Sequence, residues 1–355
     1  MSDTRAGGSP EFSERMLRMM NEAALALMVS VGHRTGLFDV MAGLPAATSA
    51  EVASRASLDE RYVREWLAAM TTGRIVEHDG ATGTYSLPAD HAAWLTRAAG
   101  MSNFGIAMQD IAMMAQVEDQ IVDCFRRGGG VPYSAFPRFQ ELMAEDSGAL
   151  HDATLIDVTL PLVPGLIDRL RQGIDVADIG CGSGHAVNLM ADAFPRSQFA
   201  GYDLSDAGIA AARLEAERKG LANVHFDQRD VARLGELGRF DFISTFDAVH
   251  DQARPDLVLA GIASALRPGG VYLCVETRAS SLLAENLGHP LGPFLYTVSC
   301  MHCMTVSLAE GGMGLGTMWG EQTAQQMLGE AGFTTVNIAH VDGDIVNAYF
   351  IARKD

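Results

Sequence analysis

Lysine is nearly missing from this 355-residue sequence. Only Lys219 and Lys354 occur, so almost all of the 26 basic side chains are arginine, and they face 44 acidic ones for a formal net charge of -18. A surface of that sign repels phosphate backbones and anionic headgroups, which argues against nucleic acid and membranes as partners. Cysteine is sparse too. Cys124, Cys181, Cys274, Cys300 and Cys303 form an odd set without framework spacing, so disulfides do not build this fold. Cys300 and Cys303 make the one C-x-x-C, and no second pair completes a four-ligand zinc site. The expectation is two packed thiols in a loop and no metal. Long apolar runs are absent: "AALALMV" at 23–29 is far below a bilayer span. The opening "MSDTRAGGSPEFSE" lacks a signal-peptide core, and the expected compartment is the cytoplasm.

What is present describes a globular chain, 48% hydrophobic and 20% charged, long enough for two domains. Three regions follow from the pattern: 1–100, 101–168 and 169–355. In the first, residues 12–32 have helical apolar spacing up to Gly32. Thr48 or Ser49 and then Asp59 can cap two further helices, and "RIVEH" and "TYSL" flank the turn "DGATG". Helix, turn, helix and hairpin make a winged-helix pattern. Residues 1–100 hold 12 acidic and 9 basic side chains, a net of -3, and the would-be recognition helix mixes Arg61 and Arg64 with Asp59, Glu60 and Glu65. A DNA module shows a basic face, so this region fits a homodimer contact better than a DNA-binding regulator. In 101–168, "NFGIAMQDIAMMAQVEDQIVDCFRRGGG" reads as one long amphipathic helix, followed by more helices in a linker or lid.

From residue 169 strands and helices alternate: "IDVADIG", "SQFAGYDLS", "NVHFDQRD", "RFDFISTFD" and "GGVYLCVE", then two strands joined by "DGD". That is an α/β domain with a mostly parallel sheet, whose ligand site lies beyond the C-terminal strand ends. There "VADIGCGSGHA" places Gly180, Gly182 and Gly184 in a G-x-G-x-G, and His185 stands where a dinucleotide loop has its third glycine. Asp203 ends the next strand, where an acid accepts hydrogen bonds from both ribose hydroxyls and its charge disfavours a 2′-phosphate. Asp230, at the exit of the third strand, is placed for an adenine amino group. With Asp178 added, this ring of acids suits a ribose, an adenine and a cation better than a pyrophosphate, against an NAD-dependent oxidoreductase.

The ordered set "VADIGCGSG", "GYDLS", "FDQRDVARL", "FDFISTFDAVHD" and "LRPGGVYLCVE" resembles the class I methyltransferases that use S-adenosylmethionine and release S-adenosylhomocysteine. The segment "LDERYVREWLAAMTTGRIVEHDGATGTYSL" is similar to the dimerisation domain of small-molecule O-methyltransferases. The resemblance implies a Rossmann-like seven-stranded sheet, mostly parallel with one antiparallel strand, behind a helical winged-helix domain. It implies that Asp178, Gly180, Cys181 and Gly182 surround the methionine moiety, with Phe246 and Asp247 at the same end. Asp203 would bind ribose, Leu204 the adenine face, and Asp230 with Val231 the adenine edge.

Methyl transfer to a neutral hydroxyl needs a base near neutrality, most often histidine. His250 in "FDAVHDQ" aligns with the base of the H-D-W stretch in plant-type O-methyltransferases; Asp251 is kept, and Gln252 replaces the tryptophan. A pocket-lining histidine is the competing role. Glu276, ending the fifth strand, can polarise a substrate or support His250, and His302 is a second base candidate. His302 lies in an insert, 277–320, rich in methionine and glycine, whose Phe294, Tyr296 and Trp319 suit the wall of an apolar acceptor pocket. A non-catalytic cofactor-binding protein on the same scaffold is the remaining alternative.

Overall fold

The structure is a computed structural model that describes residues 9–354. The chain divides into two compact units, Met1–Met113 and Met114–Asp355.

The first unit is helical with one small hairpin. Its helices are α1 Pro10–Thr35, α2 Leu37–Ala42, α3 Ser49–Ala56, α4 Glu60–Thr72 and α5 Ala89–Leu95. Helix α1 runs past Gly32 and stops at Gly36, whose φ of +71° provides the left-handed cap. Gly32 is instead a packing position: a Cβ there would lie 2.6 Å from the Trp66 ring and 2.7 Å from Phe38. Thr48 and Glu51 form a capping box for α3, and Asp59 caps α4 through the Arg61 and Tyr62 N–H groups. Strands β1 Glu77–Asp79 and β2 Thr84–Ser86 pair antiparallel as the wing. Val29, Phe38, Val63, Trp66, Leu67 and Met70 close the core. Helix α6, Phe104–Ala115, crosses the boundary between the units.

The expected helix over 103–130 is two helices. It breaks at Gln116–Val117, and α7 is Glu118–Arg127. Neither glycine nor proline stands at the break, so the sequence carries no local signal for it.

The second unit is a seven-stranded sheet with helices on both faces. Its strands are β3 Asp175–Ile179, β4 Gln198–Asp203, β5 Val224–Gln228, β6 Phe240–Phe246, β7 Leu266–Thr277, β8 Thr335–Ala339 and β9 Asn347–Arg353. The order is β5-β4-β3-β6-β7-β9-β8, and β9 alone runs antiparallel to both its neighbours. Alternation along β7 shows why the sheet needs cover on both sides. Tyr272 and Cys274 enter one core with Phe333 and Leu328, whereas Val271, Leu273 and Val275 enter the other with Phe199 and Met190. The covering helices are α8 Phe139–Thr154, α9 Leu166–Gln172, α10 His185–Ala193, α11 Asp206–Lys219, α12 Pro255–Ala265 and, beyond β7, α13 Gly292–Val298, α14 Met304–Ala309 and α15 Gly320–Glu330. The strand order reverses at β3, with β4 on one side of it and β6 on the other, all three parallel. This switch opens a crevice at the strand ends. Among the described residues no single helix is long and apolar enough to cross a membrane.

The insert after β7 departs from the expected loop. Residues 292–309 are one helical run, α13 and α14 joined by a π turn, Ser299–Cys303. Cys300 and Cys303 therefore sit on a helix, as free thiols.

Candidate active site

The loop from β3 to α10 folds as it does because three of its residues have left-handed backbones: Gly180 (φ +75°), Gly182 (φ +52°) and Gly184 (φ +71°). Two of them are also tight. A Cβ on Gly180 would lie 2.6 Å from that of Ala248, and one on Gly184 2.4 Å from that of Ala212. A Cβ on Gly182 would meet nothing within 4 Å, so here the turn faces open space. His185 begins α10 with both ring nitrogens engaged, by Glu215 at 2.9 Å and Asp152 at 3.0 Å.

The acids follow at successive strand ends. Asp203 accepts from the N–H groups of Gly182 (2.8 Å) and Ser205 (2.7 Å), which locks the glycine turn to β4. Each oxygen keeps a lone pair for a ligand hydroxyl. Asp230 accepts from the Ala232 N–H at 3.0 Å, capping a short turn that begins with buried Val231. Leu204 is 68% exposed between them, a free apolar face. Asp178 is buried; burial pushes its carboxyl up to about 7, against the opposing effect of the Ser244 hydroxyl that donates to it at 2.7 Å. Burial likewise pushes the Cys181 thiol well above its ordinary range. Asp247 follows β6 at φ +48°. Its side chain reaches solvent but is ringed by protein, and this enclosure, with the charge of Glu276, pushes it up to about 7. Phe246 carries His151 edge-on at 4.8 Å. Burial lowers His151 to about 4, and its Nδ1 has no hydrogen-bond partner among the described residues.

A carboxylate–imidazole pair stands beside this cradle. Glu276, fully buried at the end of β7, uses both oxygens: Oε1 accepts from the Val249 N–H at 3.0 Å and Oε2 meets His250 Nδ1 at 2.5 Å. Burial depresses the His250 imidazolium, but the Glu276 charge and the Cys303 sulfur outweigh it, and the net shift is well above the ordinary histidine range. Asp247, His250 and Glu276 bring ligand-type atoms within 4.8 Å of one another, and two of the three are joined by the His250–Glu276 hydrogen bond. The insert holds the His250 loop in place: Gly316 N–H donates to the His250 carbonyl (3.1 Å) and Ser307 Oγ to that of Gln252 (2.8 Å).

His302 is 2% exposed in an aromatic box, stacked on Phe139 at 4.1 Å with Phe136 and Tyr133 edge-on. Burial, and then the nearby His250 charge, lowers it to about 3, so it stays neutral at pH 7. Of the three insert aromatics, Phe294 is partly buried against Ala279 and Leu295, and Tyr296 accepts a hydrogen bond from Asn286 at 3.1 Å. Trp319 instead packs in the sheet core with Met327 and Leu328. Sequence reasoning missed Ser244, His151 and Tyr133, whose hydroxyl donates to Asp251. Ser244 lies inside "FDFISTFDAVHD" without a polar pattern that marks it, and His151 and Tyr133 lie in no motif.

The sheet order and the glycine turn, with acids at the end of β4 and just beyond β5, define the class I methyltransferase fold. Residues 23–97 match a family model described as an Rv2258c-like winged HTH domain, and residues 170–332 match one described as a methyltransferase domain. The chain thus joins a winged helix-turn-helix domain to a methyltransferase domain. Human N-acetylserotonin methyltransferase, solved in complex with SAM, is similar with a TM-score of 0.72 over 98% of this chain and 100% of that chain, at 17% identity. An O-methyltransferase family protein from Burkholderia thailandensis gives 0.72 over 97% and 98%, at 16% identity. Likeness at these identities shows the fold. The fatty-acid O-methyltransferase of Mycolicibacterium smegmatis is 32% identical over 108 residues, 30% of this chain and 38% of that protein. The chain spans less than half the length of the curated relatives it matches.

Proposed function

We propose that this protein is an S-adenosylmethionine-dependent methyltransferase acting on a hydroxyl of a small apolar or aromatic molecule, with His250 as the base that Glu276 orients. The observation that carries this reading is the buried His250–Glu276 pair beside a glycine turn with carboxylates at Asp178, Asp203 and Asp247. The cofactor fits this donor set. Asp203 meets a ribose diol, Leu204 an adenine face, Asp230 and Val231 its edge, and the open side of Gly182 leaves room for the ligand backbone. Asp178 and Asp247 favour positive charge, such as an ammonium or a sulfonium. Both human and bacterial neighbours carry SAM or methyltransferase in their names, which supports the same assignment.

When bound, S-adenosylmethionine supplies the electrophilic methyl group. The chain's own part is to position and desolvate the acceptor oxygen and to take its proton. Glu276 fixes His250 through Nδ1 and stabilises the imidazolium that forms. His302, neutral and aromatic-walled, lines the acceptor side with Tyr133, Phe136 and Phe139.

In the first unit, Phe12, Leu17 and Met20 are more than half exposed along α1, and we read this face as a homodimer contact. Helix α4 pairs Arg61 with Glu65 and Arg64 with Glu60, which leaves little positive charge for DNA. Five free thiols suit a reducing cytoplasm. The primary test is calorimetric titration of protein freed of co-purified ligand with S-adenosylhomocysteine, S-adenosylmethionine and NAD. Binding of the first two alone is the expected result. Silence from both overturns the proposal.

A further inference from the structure

His185 opens α10 directly after Gly184 of the glycine turn, and three helices meet at its ring. Nε2 lies 3.0 Å from Asp152 Oδ1 on α8, and Nδ1 lies 2.9 Å from Glu215 Oε1 on α11. The other Glu215 oxygen accepts from Asn188 Nδ2 of α10 at 3.2 Å, which fixes that carboxylate in place. On α8 the ring also reaches the backbone: a Cβ on Gly148 would lie 3.9 Å from His185 Cδ2. Gly148, His151 and Asp152 are three and four residues apart, so they share one face of α8. On that face His151 meets Phe246 edge-on at 4.8 Å. One side of α8 thus spans from the start of α10 to the end of β6.

An ionised carboxylate only accepts, and a ring nitrogen donates only when it carries a proton. Both bonds of His185 therefore exist together only in the imidazolium. A neutral ring keeps one and turns a lone pair toward the other carboxylate. The N-terminus of α10 opposes a cation at this position, so the two acids must carry the balance.

We propose that His185 is a positioning residue: as an imidazolium shared by Asp152 and Glu215, it clips α8 onto the glycine turn and closes the methionine end of the cofactor crevice. The second half rests on the S-adenosylmethionine reading, which puts Phe246 at that end. Solvent reaches the clip directly, since the side chains of Asp152 and His185 are 64% and 23% exposed. The titratable groups around the ring are Asp152 and His151 from α8 and Glu215 from α11. His151, lowered to about 4 chiefly by burial, brings no charge at neutral pH. Raising the pH removes the second bond of His185, so α8 loosens and ligand release quickens.

Amide exchange of the full chain without ligand, corrected for the intrinsic base-catalysed rate, follows residues 139–154 across pH. Ring 15N spectra follow His185, with His185→Gln to assign its signals. The expected result is that protection of 139–154 falls at the same midpoint at which His185 loses its second ring proton. Asp152→Ala, a change at an exposed carboxylate, removes that step. In stopped-flow release, Asp152→Ala is expected to free S-adenosylhomocysteine about two- to fivefold faster, the range of an exposed ion pair. Its affinity for 5′-methylthioadenosine, which lacks the amino-acid end, stays unchanged. Protection that ignores the His185 titration overturns the clip. S-adenosylhomocysteine that leaves Asp152→Ala at the native rate overturns its role at the crevice, as does an equal effect on both ligands. If neither ligand binds, the methyltransferase reading fails, and the exchange measurement still decides the clip by itself.

Discussion

Asp203 does two jobs with one carboxylate, pinning the glycine turn and offering lone pairs to a ribose. Asp203→Ala is expected to weaken S-adenosylhomocysteine binding about 10–100-fold, the equivalent of one or two charged hydrogen bonds, read by calorimetry. Burial for Asp178, and enclosure by protein with the charge of Glu276 for Asp247, push both carboxyls up to about 7. A cationic ligand lowers both, so binding S-adenosylmethionine at pH 7 releases protons, and the observed heat changes with the ionisation enthalpy of the buffer. S-adenosylhomocysteine, which lacks the sulfonium, releases fewer. His250 accepts a proton only when neutral, and its pKa is raised. Transfer therefore speeds up as pH climbs through a midpoint above 6.5, and Glu276→Gln moves that midpoint downward while slowing the plateau. The acids and His250 could be singled out in the sequence because each lies near the C-terminal end of a strand or in the few residues after it.

At the scale of elements, the three loop glycines separate folding from binding. Gly184→Ala combines a left-handed backbone, about 1–2 kcal/mol, with overpacking against Ala212 and Phe226, about 1–3 kcal/mol. It is expected to lower the melting temperature by several degrees. Gly182→Ala carries the backbone cost alone, so its main effect appears in ligand affinity. The strands were readable because β3, β6 and β7 are apolar runs bounded by turn signals, and α4 because Asp59 caps an amphipathic stretch. The break at Val117 was not, having no glycine or proline to mark it. The π turn at Ser299–Cys303 was also hidden, because an extra residue in a helical turn leaves methionine-rich sequence looking like a loop.

For the molecule as a whole, the proposed dimer predicts sedimentation at twice the 37.9 kDa of one chain. Leu17→Glu with Met20→Glu on the exposed face of α1 is expected to give monomers; a native protein that already sediments as a monomer removes the dimer. Winged-helix and doubly wound patterns were both legible end to end, because each is a rhythm of local elements. Strand β9 has a consequence of another kind. It lies between β7 and β8, contributing Phe350 to one core and Tyr349 and Ile351 to the other, yet it comes last in the chain. β7 and β8 do not pair with each other, so their facing edges stay bare until residues 347–353 insert between them. A chain shortened before Asn347 therefore carries two open edges, and it is expected to aggregate where the full chain stays monodisperse in light scattering.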